Sequence, residues 1–161
     1  MSWIATIIPV ALFLLVTPIA ALSQSWTQTK TAELVNQARA STTQVTIAQL
    51  KQALDEDRDV LVFDVRTVRE FEAAHIPGAY HMDRGLLEFS VWSVIDETDD
   101  EIFVYCRTGA RAALAAQRLQ ELGFTNINAV ATGSTDWTKS GYPMQTSILD
   151  ERVMITPVPD E

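Results

Sequence analysis

An α/β fold built around a mainly parallel central sheet is what this sequence predicts, and three features carry the prediction. Residues 60–65, 102–105 and 127–131 are short, nearly unbroken apolar runs rich in β-branched side chains. Strands without a polar face are buried on both sides, as in parallel sheets. Between the second and third runs, Ala112, Ala115, Ala116, Leu119 and Leu122 share one helical face while Gln117, Arg118, Gln120 and Glu121 share the other. Gly123 follows as a stop. Strand, helix and strand within about 30 residues form a βαβ unit, whose crossover is expected to be right-handed.

The elements follow in chain order. No charged side chain precedes Lys30, and residues 3–22 are almost wholly apolar. This run reads as a signal peptide over residues 1–23, because Pro9 and Pro18 interrupt it and Ala21-Leu22-Ser23 offers small residues for cleavage. The alternative is a retained anchor tethering the protein to a membrane through residues 3–22, since about 20 apolar residues suffice to span a bilayer. The expected location is outside the cytoplasm, in a periplasm or similar exported setting, or at a membrane facing away from the cytoplasm. Residues 24–44, rich in Gln, Thr and Ser, read as a linker with a short helix around 31–40, outside the main domain. Thr46 is placed to cap a helix over 47–54, where Ile47, Leu50 and Leu54 recur at helical spacing. Residues 86–95 read as a further helix carrying Trp92, which either covers the core or joins a substrate mouth. Beyond a domain spanning 45–144, residues 145–161 form a C-terminal extension. Its Ile148, Leu149, Val153, Met154 and Ile155 are able to pack back, and its last five residues are expected to be disordered.

Composition excludes several functions. The chain has 161 residues, room for one domain, and a net charge of −9 with no basic cluster, which argues against a nucleic-acid partner. A single cysteine, Cys106, forbids an internal disulfide and a zinc site built on several thiolates. Taken by composition alone, Cys106 is a small buried hydrophobe.

Its position says otherwise. The run 102–105 leads directly into Cys106-Arg107-Thr108-Gly109-Ala110-Arg111 and then into the helix. Ligand chemistry in α/β sheets gathers at such carboxyl ends of strands. The amides of a tight loop entering a helix form a concave anion site, and positive potential there favours a thiolate over a thiol. Gly109 allows the turn, and Arg107 and Arg111 add cationic charge able to hold an oxyanion, bidentately where geometry permits. Four residues separate Cys106 from Arg111, one fewer than the five of phosphotyrosine phosphatases. The shorter loop encloses a smaller cradle, which suits a thiolate bearing one extra sulfur better than a phosphate ester. That spacing argues against a phosphatase or arsenate reductase.

Four ordered segments resemble the rhodanese-like family. The stretch 64–71 is similar to its D-x-R-x-x-x-E-[FY] segment, and His75-Ile76-Pro77-Gly78-Ala79 to its H-I-P-G-A motif. Cys106 to Arg111 resembles the six-residue active-site loop, and 132–137 followed by Gly141-Tyr142-Pro143 resembles the closing G-G-x-x-x-W…G-x-P segment. Thr132 departs from the family pattern, standing where a glycine is usual. The resemblance implies a rhodanese-like α/β fold and a sulfurtransferase of the thiosulfate type, with Cys106 as catalytic nucleophile and no metal or cofactor. The loop residues Arg107, Thr108, Gly109, Ala110 and Arg111 would hold a small anionic donor such as thiosulfate, and cyanide or a thiol would accept the sulfur. A persulfide carrier serving a protein partner is the alternative.

Arg66 is placed to line the pocket mouth, or else to pair structurally with Asp64, Glu70 or Glu72. Asp64 and His75 read as structural, Trp137 as core, and His81 has no identifiable partner in the sequence.

Overall fold

A computed structural model describes residues 19–95, 97–147 and 153–155. Five strands form one sheet in the order β1-β5-β4-β2-β3: β1 Thr43–Val45, β2 Leu61–Asp64, β3 Tyr80–His81, β4 Ile102–Tyr105 and β5 Ile127–Val130. Every pairing in it is parallel. The alternation of strand side chains sorts the core into two layers. Ile102 and Val104 of β4 join Phe63 of β2 and the alanines of α5 (Ala110–Glu121) on one face. Phe103 and Tyr105 join Val62, Leu50 of α2 (Ile47–Asp55) and Trp137 of α6 (Ser134–Lys139) on the other. The fold is the expected α/β sheet with helices on both faces.

Two short helices start on matched signals. Thr46 and Gln49 form a reciprocal capping box at α2, and Thr67 and Glu70 form another at α3 (Val68–Ala73). The second places Glu70 at the carboxyl edge of the sheet, next to β2.

Three expectations are corrected. The segment 24–44 is not a linker with a short helix: α1 runs Ile19–Ser41 and packs on α5, and Thr43–Val45 is an edge strand of the sheet. Among the described side chains of α1, Val35 and Ala38 are buried, too few for an amphipathic stripe to stand out in sequence. Residues 86–95 are not one helix but a 3-10 turn at Arg84–Leu86, α4 at Leu87–Ser90 and a second 3-10 turn at Val91–Ser93. Ser93 Oγ donates to the Ser90 carbonyl, a local bond that competes with a regular helix. His81 does have a partner: its Nε2 lies 3.0 Å from the Arg66 carbonyl oxygen.

Of the C-terminal extension, Val153–Ile155 forms β7, antiparallel to β6 (Met144–Thr146). Ile148, Leu149 and the last five residues, on which expectations were placed above, lie outside the described residues, as does most of the apolar run 3–22. Among the described residues no helix is long and apolar enough to cross a membrane.

α1 runs in the same sense as α5. Gln117 Nε2 reaches Ser41 Oγ at 3.5 Å, whereas Ala110, at the start of α5, faces residues well before the end of α1. The earlier turns of α1 therefore extend past the start of α5, along the edge where β4 hands over to Cys106.

Candidate active site

Cys106 continues the β4 alternation, so its side chain falls on the same layer as Val104 and Ala112, and it is 1% exposed. Its Sγ accepts a hydrogen bond from Gly109 N–H at 3.2 Å. Gly109 sits at φ +85°, and a Cβ there would lie 1.8 Å from the Ala131 carbonyl oxygen. No other residue fits that turn.

The loop is held from behind by α6. Ser134 N–H donates to the Cys106 carbonyl at 2.8 Å and Thr135 N–H to the Arg107 carbonyl at 3.1 Å. A trans peptide points its N–H opposite to its carbonyl, so the amides of Arg107 and Thr108 face away from α6. Neither donates to any acceptor among the described residues. The approach is possible only because Gly133, at φ +74°, has no Cβ: one would stand 2.1 Å from the Cys106 carbonyl oxygen.

The two loop arginines differ in the partners they already have. Arg111 is already forked onto Glu70, Nη1 to Oε2 at 2.9 Å and Nη2 to Oε1 at 2.8 Å. The Arg111 hydrogen bonds hold the Glu70 carboxyl down at about 2. In return Glu70, and to a smaller extent Cys106, raises the Arg111 pKa. Arg107 is exposed and makes no ion pair or hydrogen bond through its side chain among the described residues. It is the loop cation open to an incoming anion.

Arg66 serves structure more than substrate. It is 7% exposed, bonds both oxygens of the fully buried Asp64, and donates through Nη2 to the Ala74 carbonyl at 2.6 Å. Burial alone lowers its pKa, but the Asp64 hydrogen bonds and charge outweigh this and raise it. Its surface still lines a recess of about 370 Å³ beside the loop, together with Arg107, Glu70, Thr135 and Thr138. Burial raises the pKa of Tyr105 well above its usual value, and its hydroxyl accepts the Ile76 N–H at 3.0 Å. His75 is structural, with Nδ1 2.8 Å from the Phe71 carbonyl oxygen and its ring stacked on Phe71. Trp92 packs at a tilt against Phe124, beyond the far end of α5 from the loop, and so covers the core instead of lining the mouth.

Thr108 is exposed on the loop and Ala110 opens α5. From sequence, Glu70 stands only as a possible structural partner of Arg66, and Gly133, Ser134 and Thr135 have no role. All four lie inside the segments 64–71 and 132–137, a signal that could have found them.

The site is thus a buried thiol in an amide cradle at the end of a parallel strand, a geometry able to handle an anion. The rhodanese-like domain profile matches residues 46–140, and the chain belongs to the rhodanese-like family. It is 33% identical over 109 residues to YrkF of Bacillus subtilis, which carries a sulfur-carrier name, covering 68% of this chain. The chain spans 58% of that protein's length. It is 30% identical to a sulfurtransferase of Allochromatium vinosum over 59% of this chain and 87% of that one. The polysulfide-sulfur transferase homodimer of Wolinella succinogenes superposes with a TM-score of 0.64 at 29% identity, covering 76% of this chain and 91% of that one. Sulfur transfer is the chemistry common to these relatives.

Proposed function

We propose that the protein takes a sulfane sulfur from thiosulfate, or a donor as small and anionic, onto Cys106 and passes it to cyanide or a thiol. The observation that carries the reading is the cradle itself: Cys106 Sγ receives Gly109 N–H, the amides of Arg107 and Thr108 are unspent, and Arg107 is unpaired beside them. The Cys106 thiolate attacks the outer sulfur of thiosulfate. The bond from that sulfur to the sulfonate sulfur breaks, and sulfite leaves with the electron pair. Arg107 meets the sulfonate oxygens as they gain charge, and the loop amides stabilise the anionic persulfide. Cyanide or a thiolate then attacks the outer sulfur, and the electron pair of the S–S bond returns to Cys106. The chain has no second cysteine, so discharge requires an external acceptor.

A carrier that delivers the persulfide to a protein partner is the second reading, favoured by the sulfur-carrier name of the B. subtilis relative. The place of action proposed from residues 3–22 is outside the cytoplasm. Mass spectrometry after thiosulfate treatment tests the common core: a gain of about 32 Da on Cys106, absent from Cys106→Ser, is expected. Thiocyanate formation with cyanide then marks the enzyme, and loading without it marks the carrier. A wild-type chain that gains no sulfur from any sulfane donor overturns both.

A further inference from the structure

The recess between α1 and the start of α5 is unlike the rest of the surface. It measures about 470 Å³, a size suited to a small organic molecule. One wall is a single face of α1, with Gln28, Val35, Asn36 and Arg39 on it, and the other is Ala110. Ala110 directly follows Gly109, whose amide donates to Cys106 Sγ. The recess therefore opens one residue from the group that touches the sulfur.

Arg39 is the anomaly within it. Its Nε is sealed from solvent and has no hydrogen-bond partner. No ion pair or hydrogen bond engages its side chain among the described residues, although the chain carries 21 carboxylates against 12 basic side chains. The one acidic residue of α1, Glu33, is already paired with Lys30 at 2.7 Å. Arg39 thus lines the recess without a counter-charge, and a guanidinium fork matches a carboxylate better than any other partner. A simple inorganic ion would leave most of the recess empty. Gln28 and Asn36 supply amide donors and acceptors for the remainder of a longer ligand, and Val35 supplies an apolar contact.

We propose that this recess holds the carboxylate end of a low-molecular-weight thiol, with Arg39 as its anchor, and that this thiol is the sulfur acceptor. The identification of the ligand as an acceptor rests on the sulfur-transfer reading above. With the carboxylate held at Arg39, the acceptor thiolate attacks the outer sulfur of the anionic persulfide Cys106–S–S⁻. The new S–S bond forms as the old one breaks, the outer sulfur leaves on the acceptor with its negative charge, and Cys106 departs as thiolate.

Two measurements on the full chain test this. In discharge of the Cys106 persulfide, 3-mercaptopropionate is compared with 3-mercaptopropanol, its neutral near-isostere, at equal thiolate concentration. The wild type favours the carboxylated thiol in kcat/KM, and Arg39→Gln lowers that ratio about tenfold, as expected for one charge-assisted hydrogen-bonded pair. An unchanged ratio refutes the proposal. Separately, the Arg39 Nε–H resonance, assigned by its loss in Arg39→Gln or Arg39→Lys, shifts on titration with 3-(methylthio)propionate, which has no thiol to react. No shift at tens of millimolar refutes the recess whatever the sulfur chemistry. A shift in a protein that never loads a persulfide leaves the carboxylate site standing and removes the acceptor role together with the reading it rests on.

Discussion

Gly133→Ala is the sharpest perturbation of the site that leaves every catalytic side chain in place. The added methyl would stand 2.1 Å from the Cys106 carbonyl oxygen, 2.9 Å from its carbon and 3.0 Å from the Arg107 carbon. All three neighbours are backbone, so no side chain can swing aside. The residue also sits at φ +74°, ψ −157°, a region open in practice only to glycine. Holding alanine there costs about 1–3 kcal/mol. If α6 withdraws to relieve the overlap, the bonds from Ser134 and Thr135 to the loop carbonyls go with it, at about 0.5–1.5 kcal/mol each. The combined loss is about 2–6 kcal/mol, a large part of the ~5–15 kcal/mol that typical domains possess. Urea unfolding reads the stability, and the rate of Cys106 alkylation by iodoacetamide under native conditions reads the loop. Both are expected to change together, because the same two hydrogen bonds set the orientation of the cradle amides. A variant within about 0.5 kcal/mol of wild type, the range of neutral surface changes, with unaltered Cys106 reactivity would refute the claim that α6 holds the loop.

Glu70→Gln keeps the capping box at Thr67 but removes the charge from the Arg111 pair. The Glu70 carboxyl falls from its usual 4.5 to about 2 on folding, so its contribution is full above 4.5 and is lost as pH drops towards 2. With both partners about one-third exposed, the difference at pH 7 is expected to be about 1 kcal/mol, shrinking below pH 4.5, and a pH-independent difference in urea titrations would count against it. Asp64→Asn leaves the Arg66 charge buried without its counter-charge and is expected to cost about 3–5 kcal/mol in stability. The double variant with Arg66→Met should recover most of that loss, and a double variant with no higher Tm than Asp64→Asn alone would contradict the paired-charge account.

The sheet was legible because its strands lack a polar face: 60–65, 102–105 and 127–131 contain β2, β4 and β5. The Ala-faced helix and the Thr46 cap were legible for the same local reasons, spacing and capping chemistry. The edge strands were not. β1 and β3 are two or three residues long and mostly exposed, so they carry no periodic signal, and their pairing is decided by tertiary contact. The loop around Cys106 announced itself through one cysteine, one glycine and two arginines at fixed spacing. What sequence could not show is which arginine is already taken, because Glu70 lies 41 positions from Arg111. Nor could it show that Gly133 touches Cys106, since glycine at a close backbone approach looks like any turn glycine.

The depth of the sulfur has a kinetic meaning. At 1% exposure the resting thiol lies beneath the van der Waals surface, shielded from collision with another chain or a bulky oxidant. Under the function proposed above, a second sulfur bonded to Sγ would lie about 2 Å beyond it. A sulfur directed out of the cradle would be within reach of something large while Sγ itself is not. Reactivity towards macromolecules would then be switched on by the load and switched off by delivery.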